Sequence, residues 1–528
     1  MSVDPRSPCI VGVGSQTWHP TESGAAGAPE PIDMWEIVAR SAEADSGVSL
    51  LPRLDALDVV YCQTWQYDDP VTRLCERIGV SPRKRHYSGI GGTTPQVLVQ
   101  EQARRIADGE LDVALVVGAE ALDTQRRYKK RGERFPYSFR PDTKPEFPWE
   151  APFHPAEVAH DVFQAWLTFA LFDNARRGRL GTGLDAYRRE LGEQWHRFTQ
   201  VASANPDAWF PIERSADELI TPTPTNRLLA SPYTKYMISI MDVDMAAAVF
   251  VVAEETADAL GIPRDQRVYL RGWQYATDPV YVAEHPDLAA SAGMSTVITD
   301  TMGTAGIDVD DLAHLDLYSC FGSSVNFMRD TLGISLDDPR PLTVTGGLPY
   351  HGGAASNYLS HAIAQMTRVL RADPGSFGLV TGVGMHMTKH VACVYSTTPP
   401  ILAARLLSPT PAAEPGRTPI VDRYVGPATV ATHTVVHGRD GQPEWGLAIC
   451  DVEARDARHA PGAVRAPEPG PERPATQSRK RKVRSEGRVY ARIEAADLLV
   501  DAMETEWLGR PVTLASHPSR KGVNLVVA

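Results

Sequence analysis

Side chains able to transfer protons lie in the glycine-rich segment Thr343–Met366, TVTGGLPYHGGAASNYLSHAIAQM. Tyr350 and His351 stand between two glycine pairs, Gly346–Gly347 and Gly352–Gly353. Glycines cluster where the backbone must approach a ligand or another strand closely, so this turn is a candidate site. A tight strand-to-helix connection without chemistry explains the same glycines, and both interpretations stay open.

A second glycine-rich turn, Ser88–Gln100 (SGIGGTTPQVLVQ), leads into a predicted helix that ends near Ala107. Thr93 or Thr94 suits the N-cap of this helix, and Pro95 suits its first turn. A threonine hydroxyl could also act as a nucleophile. That role needs a strong adjacent base, so capping is the favoured interpretation.

The cysteine pattern bears on the cellular compartment and on whether a metal site is expected. The six cysteines are widely spaced and form no CxxC pair, so we expect neither a zinc site nor a disulfide framework, and no metal is predicted. The chain lacks a basic-then-apolar signal peptide and any run of 18 apolar residues. We therefore expect a cytoplasmic protein with no membrane partner. The cysteines are Cys9, Cys62, Cys75, Cys320, Cys393 and Cys450.

The charge balance argues against nucleic acid as a partner. The net charge is −12, whereas phosphate binding needs a positive surface. The segment Pro461–Ala528 differs because it carries more basic than acidic residues, including the run Ser478–Arg484 (SRKRKVR).

Strands and helices alternate on both sides of a long insertion. Short apolar runs predict buried strands, and 3.6-residue periodicity predicts helices. This alternation is typical of a mostly parallel sheet covered on both faces, and its recurrence suggests an internal pseudo-repeat. The predicted strands are Cys9–Val13, Leu57–Tyr61, Asp112–Gly118, Asp242–Glu254, Val268–Trp273, Leu315–Tyr318, Thr343–Thr345, Gly378–Thr381 and Val391–Tyr395. The predicted helices include Ile32–Ala44, Pro70–Ile78, Leu184–Ala204, Met294–Met302 and Phe321–Leu332.

The predicted domains follow from this pattern. Residues 1–123 and 233–270 form the first α/β half, and residues 271–400 form the second. Residues 124–232, rich in Arg, Pro, Phe and Trp, are predicted to be an inserted loop or cap domain. Residues 415–528 are predicted to be a small β-domain with a disordered loop at about 455–485, within which Ala457–Thr476 is Ala/Pro/Glu-rich.

Several segments occur in the order found in the thiolase superfamily. They are SGIGGTTPQ, VDMAAAV, LDLYSCFGSS, TGGLPYHGGAASNY and TGVGMHMTKHVACVYS. From about Pro8 to Ser396 the chain resembles the sterol-carrier-protein-linked, acetyl-CoA acetyltransferase-like branch. The C-terminal region resembles the OB-like domain of some actinobacterial thiolase-like proteins. The resemblance implies a duplicated α/β thiolase fold in α-β-α-β-α layers, with an inserted loop domain and a small C-terminal OB-like β-domain.

The resemblance also implies that the usual thiolase residues are replaced. A thiolase has a nucleophilic cysteine at the N-terminus of the first-half helix, which corresponds to a position near Gly91. The Gly-His-Pro histidine corresponds to Gly353, and the second cysteine corresponds to Thr381 or Gly382. The HDCF motif of the branch corresponds to Tyr318–Phe321 (YSCF). Thiolysis is therefore not expected.

Two functions fit this resemblance. The first is an acyl-CoA-binding protein without thiolytic turnover. The second is a cysteine-independent enzyme, such as a retro-aldolase on a steroid or lipid side-chain CoA thioester or an acyltransferase with a rearranged site. In the enzyme, Tyr318 is the expected catalytic group, with His351 or Tyr350 opposite it. The predicted substrate-binding residues are Ser319, Tyr350, Asn357, Gly382, Gly384 and His386.

The expected ligand is a CoA thioester, with no bound cofactor, and the chain is expected to be a monomer or a homodimer. OB-like barrels bind single-stranded nucleic acid through basic grooves and stacked aromatics. Here Tyr490 and Trp507 are the only aromatics near the basic run, so a solvated loop is favoured over a nucleic-acid site. The domain is instead expected to pack on the thiolase-like body and to help shape the cleft entrance.

Overall fold

A computed structural model describes residues 3–24, 27–148, 153–400, 416–453 and 487–527 of the chain. The loop of about 455–485 that we predict to be disordered, with Ala457–Thr476 and the basic run Ser478–Arg484, lies outside the described residues.

The described strands and helices alternate as predicted. The strands are β1 (Pro8–Thr17), β2 (Ala56–Val59), β3 (Lys84–Tyr87), β4 (Val113–Ala121), β5 (Leu228–Ala230), β6 (Tyr233–Thr234), β7 (Asp244–Ala253), β8 (Val268–Thr277), β9 (Leu312–Asp316), β10 (Phe377–Gly384), β11 (Lys389–Ser396), β12 (Gly426–His437), β13 (Pro443–Val452), β14 (Gly487–Ile493), β15 (Pro511–Ser516) and β16 (Asn524–Val526). The α-helices are α1 (Pro20–Ser23), α2 (Pro31–Ser46), α3 (Pro70–Ile78), α4 (Thr94–Ala107), α5 (Leu122–Arg131), α6 (Pro155–Ala159), α7 (Ala165–Leu180), α8 (Leu184–Ala204), α9 (Ala216–Ile220), α10 (Glu254–Ala259), α11 (Ala292–Ala305), α12 (Gly322–Leu332), α13 (Tyr358–Ala372) and α14 (Ala496–Glu504).

Nine strands form the central sheet in the order β3-β2-β4-β7-β1-β8-β11-β10-β9. In the first half β2 is parallel to β3 and β4, and β7 is antiparallel to β4 and β1. In the second half β10 is parallel to β9 and antiparallel to β11, which is antiparallel to β8. The order and directions of β8-β11-β10-β9 repeat those of β1-β7-β4-β2. The predicted internal pseudo-repeat is therefore confirmed.

Two details of the predicted sheet are wrong. The sheet is mixed rather than mostly parallel, because the last strand of each half, β7 or β11, returns antiparallel to its neighbours. The predicted strand Thr343–Thr345 is absent from the described strands. The Val344 N–H there donates to Asp316 Oδ2 at 3.0 Å, and the Thr345 N–H to Thr343 Oγ1 at 3.1 Å. Side chains therefore satisfy backbone groups that a strand ladder would otherwise use.

Two helices lie in the middle of the layers. α4 packs against β7 and β11, and α13 packs against β7, β10 and α4, so both contact strands of the two halves. α2 packs against β1, β4 and β7, while α11 packs against β8 and β11. The buried strands explain this arrangement, since β4 and β7 are mostly apolar, are buried along their whole length and need cover on both faces.

The insertion between β4 and β7 is anchored to the start of α12. Asp173 on α7 accepts hydrogen bonds from the hydroxyls of Tyr187, at 2.5 Å, and Tyr233. The Asn326 amide on α12 donates to the same carboxylate at 3.2 Å. This buried network fixes the insertion against the helix that follows Tyr318.

The C-terminal strands close into a barrel. β12, β13, β14, β16 and β15 pair in a ring, and β15 pairs back onto β12. The barrel is docked on the rest of the chain, because the Tyr490 hydroxyl donates to Glu157 Oε1 at 2.9 Å and accepts from the Ala283 N–H at 3.0 Å. Within the described ranges, no helix is long and apolar enough to cross a membrane.

Candidate functional site

The glycine-rich turn before α4 places the helix N-terminus close to α13. The Gly91 N–H donates to Ser356 Oγ at 3.1 Å, and the Thr94 N–H donates to the Gly91 carbonyl at 3.1 Å. Thr93 is the N-cap, as predicted, but its side chain makes no capping hydrogen bond. Helix N-termini carry a partial positive charge, so this end of α4 favours a carbonyl or anionic oxygen, although the Thr94 N–H is already paired and Pro95 has none.

Gly92 leaves room for the hydroxyl of Tyr318. A Cβ at residue 92 would overlap both the Tyr318 hydroxyl oxygen and the Val383 carbonyl oxygen. Tyr318 follows β9, and its N–H donates to Thr381 Oγ1 on β10 at 3.0 Å. The phenol thus occupies the space that any side chain at residue 92 would need.

The Tyr318 hydroxyl is an available hydrogen-bond donor. The side chain is 5% exposed, and its hydroxyl makes no hydrogen bond with the described residues. Burial raises the pKa of this phenol well above its ordinary value of 10.0. Tyr318 is therefore protonated near neutral pH and suits donation to an oxygen rather than removal of a proton.

The turn between β10 and β11 directs His386 toward the insertion. Met385 and Met387, on either side of it, have left-handed φ angles of 55° and 62°, which non-glycine residues rarely adopt. His386 Nδ1 lies 2.9 Å from Thr168 Oγ1 on α7, and the ring packs edge-on against Phe153 at 6.1 Å. Burial lowers the pKa of His386 to about 4, so the imidazole is neutral at pH 7.

His351 lies apart from Tyr318. Both rings pack edge-on against Tyr358, at 6.0 and 5.6 Å between centroids, and no described contact joins them to each other. His351 Nδ1 lies 3.4 Å from Asn205 Nδ2, Nε2 has no partner among the described residues, and burial lowers the pKa to about 4. The arrangement of His351 opposite Tyr318 therefore stays a prediction.

The other predicted substrate-binding residues have structural contacts. Ser319 is fully buried, and its Oγ accepts from the Leu348 N–H at 3.0 Å behind the glycine pair. Tyr350 is buried against Trp195, with ring centroids 6.1 Å apart. Gly353 donates its N–H to the Ile240 carbonyl at 2.8 Å.

Asn357, Gly382 and Gly384 surround the start of α4 more closely. Asn357 Oδ1 accepts from Ser360 Oγ at 2.7 Å, and its Nδ2 has no partner in the described part of the chain. A Cβ at Gly382 would lie 2.6 Å from side-chain atoms of Leu359 and of Val391, and one at Gly384 would lie 3.3 Å from Thr93 Oγ1. Packing within the chain therefore explains both glycines without a ligand contact.

Three contributors were not identified from the sequence. Tyr358 anchors the site by donating to Asp316 Oδ1 at 2.9 Å, Thr168 holds His386, and the Val383 carbonyl lies against Gly92. The sequence signal that could have identified Tyr358 is its position directly after Asn357 in the glycine-rich segment. Thr168 lies on the insertion, where no motif marks it.

Comparison with known proteins identifies the fold of this chain. No protein-family model and no curated protein matches the sequence. Among solved structures, the monomeric SCP2-thiolase-like protein type 1 (STLP1) from Mycobacterium smegmatis matches with a TM-score of 0.80 at 28% identity, over 100% of both chains. The chain has a thiolase-like fold. The predicted fold class is thereby confirmed.

Two further structures match the thiolase-like fold over about three quarters of this chain. The Ltp2-ChsH2(DUF35) aldolase is 16% identical, with a TM-score of 0.56, over 74% of this chain and 98% of its own. Human mitochondrial 3-ketoacyl-CoA thiolase, solved in complex with CoA, matches at 14% identity with a TM-score of 0.53, over 75% of this chain and 98% of its own. At these identities the likeness concerns the fold.

Proposed function

We propose that the chain binds acyl-CoA thioesters in the cleft at the α4 N-terminus and does not catalyse thiolysis. The observation that carries this proposal is the contact between Gly92 and the Tyr318 hydroxyl. Thiolysis through a covalent intermediate needs a thiolate at a helix N-terminus. At this elbow the residues are glycine and threonine, and the phenol fills the space that a side chain at residue 92 would take.

The second element of the proposal concerns the histidine. The position that corresponds to the Gly-His-Pro histidine is Gly353, whose N–H is paired with the Ile240 carbonyl. His351 does not replace it, because that imidazole is buried beside Asn205 and Tyr358 rather than beside Tyr318. The absence of both groups supports binding without acyl transfer.

A CoA thioester is the ligand that the surroundings support. The matching human thiolase was solved with CoA, and the partial positive charge at the α4 N-terminus suits a thioester carbonyl. Lys389 Nζ lies 4.0 Å from the Cβ position of Gly91, which adds positive charge beside the cleft. We infer a role in lipid or steroid metabolism from this ligand class.

We also infer that the C-terminal barrel is OB-like, and that the chain is a cytoplasmic monomer. The ring order β12-β13-β14-β16-β15, with α14 between β14 and β15 and a parallel β14–β16 pair, supports the OB-like assignment. The six described cysteines are free, which suits a reducing compartment. The matching M. smegmatis protein is described as monomeric.

Calorimetric titration with a series of acyl-CoA thioesters tests the proposal. We expect measurable affinity for at least one thioester, with no CoA-dependent cleavage of 3-ketoacyl-CoA. The matched control is Gly89→Ala, an exposed glycine of the same turn with no atom near its Cβ position, which should bind as the wild type does. Failure of every thioester to bind would overturn the proposal.

A retro-aldol reaction is the second candidate, favoured by the available hydroxyl of Tyr318. In this reaction the bond between Cα and Cβ of a 3-hydroxyacyl-CoA breaks, a base takes the hydroxyl proton, and Cβ becomes a carbonyl. The electron pair passes to Cα as a thioester enolate, which is then protonated. Tyr318 is suited to stabilise the enolate oxygen by donating a hydrogen bond.

Release of an aldehyde or ketone from 3-hydroxyacyl-CoAs tests this candidate. If the reaction occurs, Tyr318→Phe should lower kcat by about 100-fold, as expected for the loss of one oxyanion donor. Binding without carbonyl release from any hydroxyacyl-CoA would exclude the aldolase and leave the binding protein.

A further inference from the structure

A cavity of about 370 Å³ lies between the insertion and the C-terminal barrel. The start of α7 lines one side with Phe163 and Trp166, and the β12–β13 hairpin lines the other with His437 and Trp445. Its volume lies at the small end of the range of about 300–1,000 Å³ for ligand pockets. None of the site residues near Tyr318 lines it, so it is separate from the cleft.

The cavity has aromatic walls on both sides. The guanidinium carbon of Arg492 lies 3.4 Å from the centroid of the Trp445 ring, so a cation covers one face of that indole. Phe163, on the opposite side, is 42% exposed, which is high for a phenylalanine. Two indoles and an exposed phenyl ring suit a planar heterocyclic ligand.

Polar groups in the cavity suit phosphates and a base edge. Arg227 and Arg439 line it, and neither pairs with an acidic side chain in the described part of the chain. His437 is 5% exposed, and its Nδ1 has no hydrogen-bond partner among the described residues. Guanidinium groups bind phosphate with paired hydrogen bonds, and a neutral imidazole can bond a base edge.

The acidic side chains that line the cavity are compatible with a ligand that carries phosphates and a base. Asp161 is already paired with Arg492 at 3.3 Å and with Arg520 at 2.6 Å. Glu444 also lines the cavity, and its carboxylate can accept from an exocyclic amine or a ribose hydroxyl. The site therefore combines phosphate-binding, stacking and base-edge groups.

A series of ring contacts leads from the cavity toward His386. Phe163, which lines the cavity, lies 5.3 Å from Phe153 between ring centroids, and Phe153 lies 6.1 Å from His386. These rings mark the direction that a long ligand bound in the cavity would follow to reach Tyr318.

We propose that this cavity binds the adenosine-phosphate end of the CoA thioester, so that the barrel supplies half of the nucleotide site. The pantetheine arm then passes Phe163, Phe153 and His386 and places the thioester beside Tyr318. This inference rests on the proposed CoA-thioester function, and it assigns the ligand's two ends to two parts of the chain.

Titration with adenosine 3′,5′-bisphosphate, CoA and an acyl-pantetheine that lacks the nucleotide tests the inference on the full chain. Arg227→Ala and Trp166→Ala should each weaken adenosine bisphosphate and CoA about tenfold or more, because a charged contact or a stacking face is removed. Both variants should bind acyl-pantetheine as the wild type does. Arg423→Ala, an exposed barrel arginine outside the cavity, is the matched control and should change nothing.

Each outcome decides the inference. Unchanged adenosine bisphosphate and CoA affinities in both folded variants would overturn it while leaving thioester binding in place. Tighter binding of a short single-stranded oligonucleotide than of adenosine bisphosphate, lost in Arg227→Ala, would also overturn it. If no CoA thioester or acyl-pantetheine binds, the proposed function fails, whereas Arg227-dependent binding of adenosine bisphosphate would still support the nucleotide cavity. Thermal unfolding of each variant shows that the fold is retained.

Discussion

Two tyrosines that pack edge-on at 5.6 Å have opposite surroundings. The Tyr358 hydroxyl donates to Asp316 at 2.9 Å and lies 2.7 Å from Thr345 Oγ1. The Tyr318 hydroxyl has no partner among the described residues and lies against Gly92. The same type of side chain is therefore a hydrogen-bonded anchor at residue 358 and an available donor at residue 318. This contrast separates the residues that stabilise the site from the residue that can act in it.

Two histidines also differ in their surroundings, but here the core residue is the one with an unpaired atom. On the turn between β10 and β11, His386 is half-buried and is held by Thr168. In the core, His351 is buried beside His361, with ring centroids 5.4 Å apart, and its Nε2 has no partner in the described residues. A histidine in a glycine-rich turn is thus not by itself a catalytic group, since its surroundings decide its role.

The largest expected effect comes from placing a cysteine at residue 92. Gly92→Cys should lower the free energy of unfolding by about 3 kcal/mol, because its Cβ overlaps a backbone carbonyl as well as the Tyr318 hydroxyl. Gly89→Cys, on the exposed and open side of the same turn, should change it by less than about 0.5 kcal/mol. Urea unfolding measures both. Equal stability of the two variants would contradict the close contact between Gly92 and Tyr318.

The next effect separates the two tyrosines directly. Tyr358→Phe should lower the free energy of unfolding by about 2 kcal/mol, because Asp316 and Thr345 lose a buried partner. Tyr318→Phe should lower it by less than about 1 kcal/mol, because no described hydrogen bond is lost. Chemical denaturation of the two variants side by side gives the comparison. A larger loss in Tyr318→Phe would reverse the assigned roles.

The smallest effect is a pH dependence due to His386. Burial lowers its pKa from 6.5 to about 4, so the unfolded chain takes up this proton first as the pH falls. Protonation then favours unfolding below pH 6.5, and the loss is complete near pH 4. Relative to His386→Gln, the wild type should therefore lose about 0.7 kcal/mol of stability between about pH 7 and pH 6. A difference that stays constant over this range, measured by urea unfolding, would show that His386 is not buried in the neutral form.

The fold could be predicted from the sequence more fully than the site. Apolar runs such as those of β4 and β7 and the periodicity of α3 and α8 are local signals, and α3 and α8 begin and end where predicted. Strand direction was missed because it depends on pairing between distant segments. Thr343–Thr345 looked like a strand because β-branched residues favour strands, yet Asp316 binds its backbone N–H.

The sequence identified several residues of the candidate site but not how they are arranged. Gly92 and Tyr318 are far apart in sequence, and only the folded chain brings the phenol to the glycine. Tyr358 differs in role from Tyr318 because its hydroxyl donates to Asp316, and no local sequence pattern predicts that pairing. The cavity beside the barrel combines the insertion with the β12–β13 hairpin, so it has no signature in any one segment.

The most direct measurement follows a 3-ketoacyl-CoA in the presence of CoA and the wild-type protein. Calorimetry and loss of the 3-ketoacyl thioester are recorded on the same sample. The account predicts saturable binding with no CoA-dependent cleavage above the rate without protein, because Tyr318 fills the space beside Gly92 and no cysteine lies in that turn. Cleavage that depends on the protein and on CoA would contradict the central claim.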